Sequence, residues 1–140
     1  MIYLDTPRAG GHLLSRAQCR LGAESDRGGA PRGLIISAWT LTKMASVGAI
    51  KERTGVVYCA TRRQALALFQ RFGSSTLGIT EIEPVDFCAA ALLMDGPGPL
   101  RGGDAQHLAV AKRLPADLAT LDRRLADVAP GCGVPLFPVG

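Results

Sequence analysis

Three aspartates, Asp5, Asp104 and Asp122, each follow a short apolar run or a glycine-rich loop, at points where the chain passes from one element to the next. Carboxylates gathered within a few ångströms repel one another and stay ionised only where a cation is shared among them. A hard divalent ion such as Mg²⁺, which takes oxygen ligands and keeps several waters, suits such a cluster. Water oriented and activated in that way serves phosphodiester hydrolysis. The same positions also suit plain capping, since an aspartate at a strand end or helix start is commonly a cap or turn residue. Spacing alone leaves both readings open. A fourth residue bears on the first of them. Lys43, in "ISAWTLTKMAS" (Ile36 to Ser46), falls on the inward side of the first turns of a predicted helix and carries a positive charge.

The elements that must position these residues alternate in type. Ile2-Tyr3-Leu4 reads as a short buried strand ending at Asp5, and Leu34-Ile35-Ile36 as the next. Trp39 to Glu52 has helical character, stopped by Thr54-Gly55. Thr61 to Phe72 repeats apolar residues with amphipathic spacing, and Leu77 to Ile82 is strand-like. A helix is expected over Asp86 to Met94, with Leu92, Leu93 and Met94 in the core. The cluster "DGPGPLRGG" breaks the chain before Asp104, an acid suited to the positive end of the helix "DAQHLAVAKRL". Leu118 to Leu121 predicts a strand stopping at Asp122, Arg123 to Val128 a helix, and Val134 to Val139 a last strand. This alternation predicts the α/β class: one domain over residues 1–140, with a mostly parallel central sheet and helices on both faces. In such sheets ligands bind beyond the carboxyl ends of the strands.

Composition narrows the classes further. The four cysteines are tens of residues apart with no CxxC pair, which argues against a zinc knuckle or redox dithiol and for reduced thiols. The opening "MIYLDTP" has no basic leader pattern, and no run of about 18 apolar residues occurs, so no membrane span and a cytoplasmic location are expected. The net charge of +4 is local: residues 7–33 hold five arginines against Glu24 and Asp26, which gives +3 there and leaves +1 for the rest. That segment also holds six glycines and two prolines, and at most one weak helix, near Leu13 to Leu21, is expected in it.

Taken together, "MIYLDT", "ISAWTLTKMAS…IKERTG", "LRGGDAQHLAVA" and "LATLDRRLADVAPGCGVP" resemble, in order, the motifs of PIN-domain ribonucleases, and most closely the VapC toxins of bacterial toxin–antitoxin pairs. The resemblance covers residues 1–6 and about 34–140. It implies a PIN-like domain acting as a Mg²⁺-dependent endoribonuclease toxin, with Mn²⁺ able to stand in. It further implies Asp5 and Asp104 as metal-binding catalytic acids, Asp122 as a further catalytic acid and Thr120 as a supporting polar residue. An RNA substrate, a cognate antitoxin and a homodimer are the partners it implies.

Two departures from the family pattern stand out. The family's fourth acid is a glutamate at the position held here by Lys43, which turns a potential ligand into an ammonium. At about 4 Å such a charge is worth on the order of 4 kcal/mol against a carboxylate at an effective dielectric of 20. It either neutralises the acids and competes with the metal, or extends along its stem to solvent. The second departure is in residues 7–33: Pro7 follows Thr6, and Gly10-Gly11 weaken the apolar helix the family carries there. His107, three residues beyond Asp104, is expected to pack and hydrogen-bond within the fold. Arg62, Arg63, Arg71, Arg123 and Arg124 are expected on solvated helix faces, within reach of phosphates.

Overall fold

Ile2, Tyr3 and Leu4 offer no polar face to water, and in the computed structural model they form a strand buried on both sides, β1 (Ile2–Leu4). The structure describes residues 1–5, 12–27, 32–56, 58–60, 63, 64, 67, 77–96 and 98–139. Within these, helix α1 (His12–Ser25) follows β1, then come β2 (Leu34–Ser37), α2 (Ala38–Arg53), β3 (Leu77–Thr80), α3 (Pro84–Met94), α4 (Gly102–Arg113), β4 (Asp117–Ala119) and α5 (Arg123–Val128). The strands make one four-stranded sheet in the order β3-β2-β1-β4. All its pairings are parallel, and the register sets Leu4 beside Ala119 and Ile36 beside Ile79.

Alternation along β1 divides the core. Ile2 and Leu4 pack with Leu34, Ile36, Phe137 and Ala17 of α1 on one face, with Met44 of α2 against them. Tyr3 faces the other way, among Leu108 and Val110 of α4, Leu118, Leu125 of α5 and Val134. Helices thus cover both faces, as the alternation of elements requires for a parallel sheet. Starting from β1 the chain steps outward through β2 and β3, then returns to the opposite side of β1. The reversal leaves a crevice at the carboxyl ends of β1 and β4, where Asp5 and Thr120 emerge side by side.

α2 ends as expected: Thr54 donates from its backbone to Ile50 and Gly55 from its backbone to Glu52, and Gly55 takes a left-handed φ of 72° that a side chain would resist. α1 runs longer than the stretch anticipated around Leu13 to Leu21, and it anchors itself through the buried Ala17. The helix expected over Thr61 to Phe72 lies mostly outside the described residues, as do Pro7, Gly10 and Gly11.

Two expectations need correction. Val134 to Val139 is not a strand: only Leu136 bridges to Leu118, flanked by Leu118 donating to the Pro135 carbonyl and Phe137 donating to that of Leu118. Pro135 and Pro138 have no N–H to extend a ladder, although Val134, Phe137 and Val139 are buried. Leu92 and Met94 are not core residues; Leu92 is 73% exposed and Met94 44%. α3 packs against α4 rather than the sheet, so only the stripe Asp86, Ala89, Ala90 and Leu93 is covered.

The α3–α4 pair is tied by a buried carboxylate. Asp86, at 1% exposure, accepts from the Glu83 backbone at 2.9 Å and receives Arg113 Nε at 2.8 Å and Nη2 at 3.0 Å. Arg113 also reaches Glu83 Oε1 and the Glu81 carbonyl. The hydrogen bond to Asp86 raises the already high guanidinium pKa. Arg113→Leu strands a buried charge and is expected to cost about 3 kcal/mol, read as a fall in the urea midpoint.

Candidate functional site

The backbone of Asp5 continues β1 by donating to the Ala119 carbonyl at 3.0 Å, which fixes its carboxylate at the head of the crevice. That carboxylate is buried. Thr120 Oγ1 donates to Asp5 Oδ2 at 3.0 Å and accepts the Asp122 backbone N–H at 3.0 Å. One hydroxyl thus connects two of the three aspartates. Asp122 is also the cap of α5, its Oδ1 accepting from the Arg124 backbone at 3.0 Å, so the capping reading of that residue holds. Thr120→Val removes a donor to a buried carboxylate and the acceptor of an amide together. A loss of about 2 kcal/mol is expected in chemical denaturation, with the fold retained.

Asp104 lies in the first turn of α4, where its charge complements the helix dipole. Its carboxylate bonds to no described residue, and its backbone N–H donates to the Arg101 carbonyl. α4 leads into β4, so its first turn lies at the same end of the sheet as Asp5 and Thr120. His107, one turn further, provides the direct contact, with Nε2 3.2 Å from Asp5 Oδ1. The expectation that His107 packs inside the fold is met, for it is fully enclosed, yet it also touches the leading acid. Tyr3 Oη sits 2.7 Å from His107 Nδ1 on the far side of the ring. Burial lowers the His107 pKa to about 3, and the nearby Lys43 ammonium adds to the shift, so the ring is neutral at pH 7. Burial likewise raises the Tyr3 pKa.

Lys43 completes the group. Its ammonium turns inward, 4.0 Å from Asp5 Oδ1 and 3.1 Å from His107 Nε2, with about a quarter of the side chain exposed. The His107 Nε2 position serves one neighbour at a time: protonated it donates to Asp5, bare it accepts from Lys43. Gly103 lies beside α2: a Cβ there would stand in ordinary contact, 3.5 Å from Lys43 Nζ and 3.7 Å from Trp39 Nε1. Of the two courses open to Lys43, the structure takes the inward one.

The oxygens of Asp5, Asp104 and Asp122 are of the kind Mg²⁺ binds. With the Lys43 ammonium turned inward, Asp5 faces Lys43, His107 and Thr120, and its charge is balanced without an ion. Among the described residues no three His, Cys, Asp or Glu side chains are placed to share a metal. What the geometry provides is a buried carboxylate balanced by an internal ammonium and aligned by a neutral imidazole.

Tyr3 is the contributor that sequence reasoning passed over, and it had a signal: a hydroxyl in an otherwise aliphatic strand needs a partner once buried. His107, three residues after Asp104 and so on the same helix face, packs where it is expected, and its contact with Asp5 is what the structure adds. Of the arginines expected near phosphates, Arg123 and Arg124 are exposed beside Asp122, while Arg62 and Arg71 lie outside the described residues. No described helix is long and apolar enough to cross a membrane. A scan against protein-family models finds no match to this chain, and a search of curated proteins finds none either.

Proposed function

We propose that this chain is a PIN-like toxin relative whose ribonuclease centre is held shut by Lys43: it binds RNA and a cognate antitoxin, as a homodimer, without efficient hydrolysis. The observation that carries this reading is the Lys43 ammonium 4.0 Å from Asp5 Oδ1, where the resemblance calls for a glutamate. An ammonium there satisfies Asp5 electrostatically and opposes a second cation in the same space. The order of the sequence motifs, the parallel sheet and the placement of Asp5 and Thr120 at its crevice support the family assignment.

A second reading, an active Mg²⁺- or Mn²⁺-dependent endoribonuclease, is favoured by one feature. The hydroxyl of Thr120 joins Asp5 to Asp122, with Asp104 at the head of α4 on the same side. The experiment that separates the two is RNA cleavage by wild type, Lys43→Glu and Asp5→Asn with Mg²⁺ or Mn²⁺ supplied. Slow cleavage by wild type and fast cleavage by Lys43→Glu supports the shut site. Fast cleavage by wild type that Asp5→Asn abolishes supports the second reading. No cleavage by any of the three, with no RNA bound, overturns both.

A further inference from the structure

Beside Lys43, α2, α3 and α4 leave a slot of about 390 Å³, walled by Trp39, Phe87 and Met94 and lined at its inner side by Gly103 and Gln106. Trp39 and Phe87 are 37% and 59% exposed, so both ring systems can be reached from solvent. Gln106 is 7% exposed, and its Nε2 is buried with no hydrogen-bond partner among the described residues. Trp39 Nε1, close to Gly103, also donates to no described residue. A buried donor left unpaired is destabilising, so a ligand that accepts from Gln106 removes that cost on binding.

We propose that this slot binds one unstacked RNA base that presents a carbonyl oxygen, stacked on the aromatic walls and accepting from Gln106 Nε2. The proposal rests on the RNA-binding reading above and deepens it by naming the subsite. Aromatic side chains hold single-stranded bases through their π faces, and an acceptor on the base edge pairs with an amide donor. Charge agrees with a nucleotide: Lys43 lies against Gly103, and the exposed Arg101 directly precedes Gly102 at the mouth, so cations flank the place where a phosphate would follow. A peptide also has backbone carbonyls to offer Gln106, but an uncharged peptide brings no anion to Lys43 and Arg101.

Trp39 is the only tryptophan in the chain, so its fluorescence reports on the slot directly. The full chain is titrated, in EDTA to prevent cleavage, with a short end-labelled oligouridylate and with an abasic strand of equal length, following tryptophan quenching and label anisotropy together. Saturable quenching by oligouridylate, absent with the abasic strand, is expected. Gln106→Leu should weaken binding about tenfold while leaving the melting temperature equal or higher, because it removes a donor that had no partner. Phe87→Ala, at an exposed position, should weaken binding comparably without unfolding the chain. Equal quenching by both strands, or unchanged affinity in both variants, overturns the proposal. Anisotropy change without quenching overturns the slot and leaves RNA binding standing. Neither signal overturns both.

Discussion

Lys43→Glu is expected to raise Mg²⁺-dependent RNA cleavage at least about hundredfold over wild type, a gain of some 3 kcal/mol in transition-state stabilisation. The substitution changes the local charge by two units. Lys43 now stands 4.0 Å from Asp5 Oδ1, and at that separation one pair of charges is worth about 4 kcal/mol at an effective dielectric of 20. Because the lysine is about a quarter exposed, water screens part of this, and the smaller figure is the one to expect. Initial rates on an end-labelled RNA, at saturating Mg²⁺, provide the measurement. Lys43→Met should fall between the two, since it removes the competing charge without adding an oxygen. The double variant Asp5→Asn/Lys43→Glu should be inactive. If wild type and Lys43→Glu cleave at the same rate, the ammonium has no part in suppressing the site.

The pH dependence of folding provides the second large effect. His107 is held neutral by burial, with a pKa of about 3 that the Lys43 ammonium helps to depress. Well above pH 6.5 neither folded nor unfolded chain protonates this ring, and its contribution to stability is fully present. As the pH falls from about 6.5 toward 3, the unfolded chain takes up a proton that the folded chain refuses, and stability drops by about 1.4 kcal/mol per pH unit. Urea unfolding at successive pH values across that window should show this slope in wild type. His107→Gln should be less steep by one proton, whatever its absolute stability. Lys43→Glu should shift the lower limit of the window upward, because a carboxylate in place of the ammonium no longer opposes imidazole protonation. An identical slope in wild type and His107→Gln would rule out the buried neutral ring.

Much of the fold was legible because its signals are local. A run such as Ile2-Tyr3-Leu4 can be satisfied only by burial on both faces, and Gly55 after Thr54 marks the end of α2 by backbone freedom alone. Arg123 to Val128 appears as the expected helix, capped by Asp122. The misjudged segments depended on what lies opposite them. Leu92 and Met94 have core chemistry, but α3 rests on α4 and has one covered stripe to offer. Val134 to Val139 has strand composition, but its two prolines leave too few donors for a ladder.

The site divides in the same way. The sequence by itself determined that acids end β1 and cap α5, that another opens α4, and that a lysine stands where the resembled family has a glutamate. Those are properties of residue type and short-range pattern. Only the tertiary structure decided that Lys43 turns inward, that His107 bridges Tyr3 and Asp5, and that Gln106 Nε2 is buried without a partner among the described residues. The physical reason is that a long side chain chooses between solvent and interior according to the charges that distant segments bring near it, and pairing across 38 or 102 positions, as between Asp5 and Lys43 or His107, leaves no periodic trace in the chain.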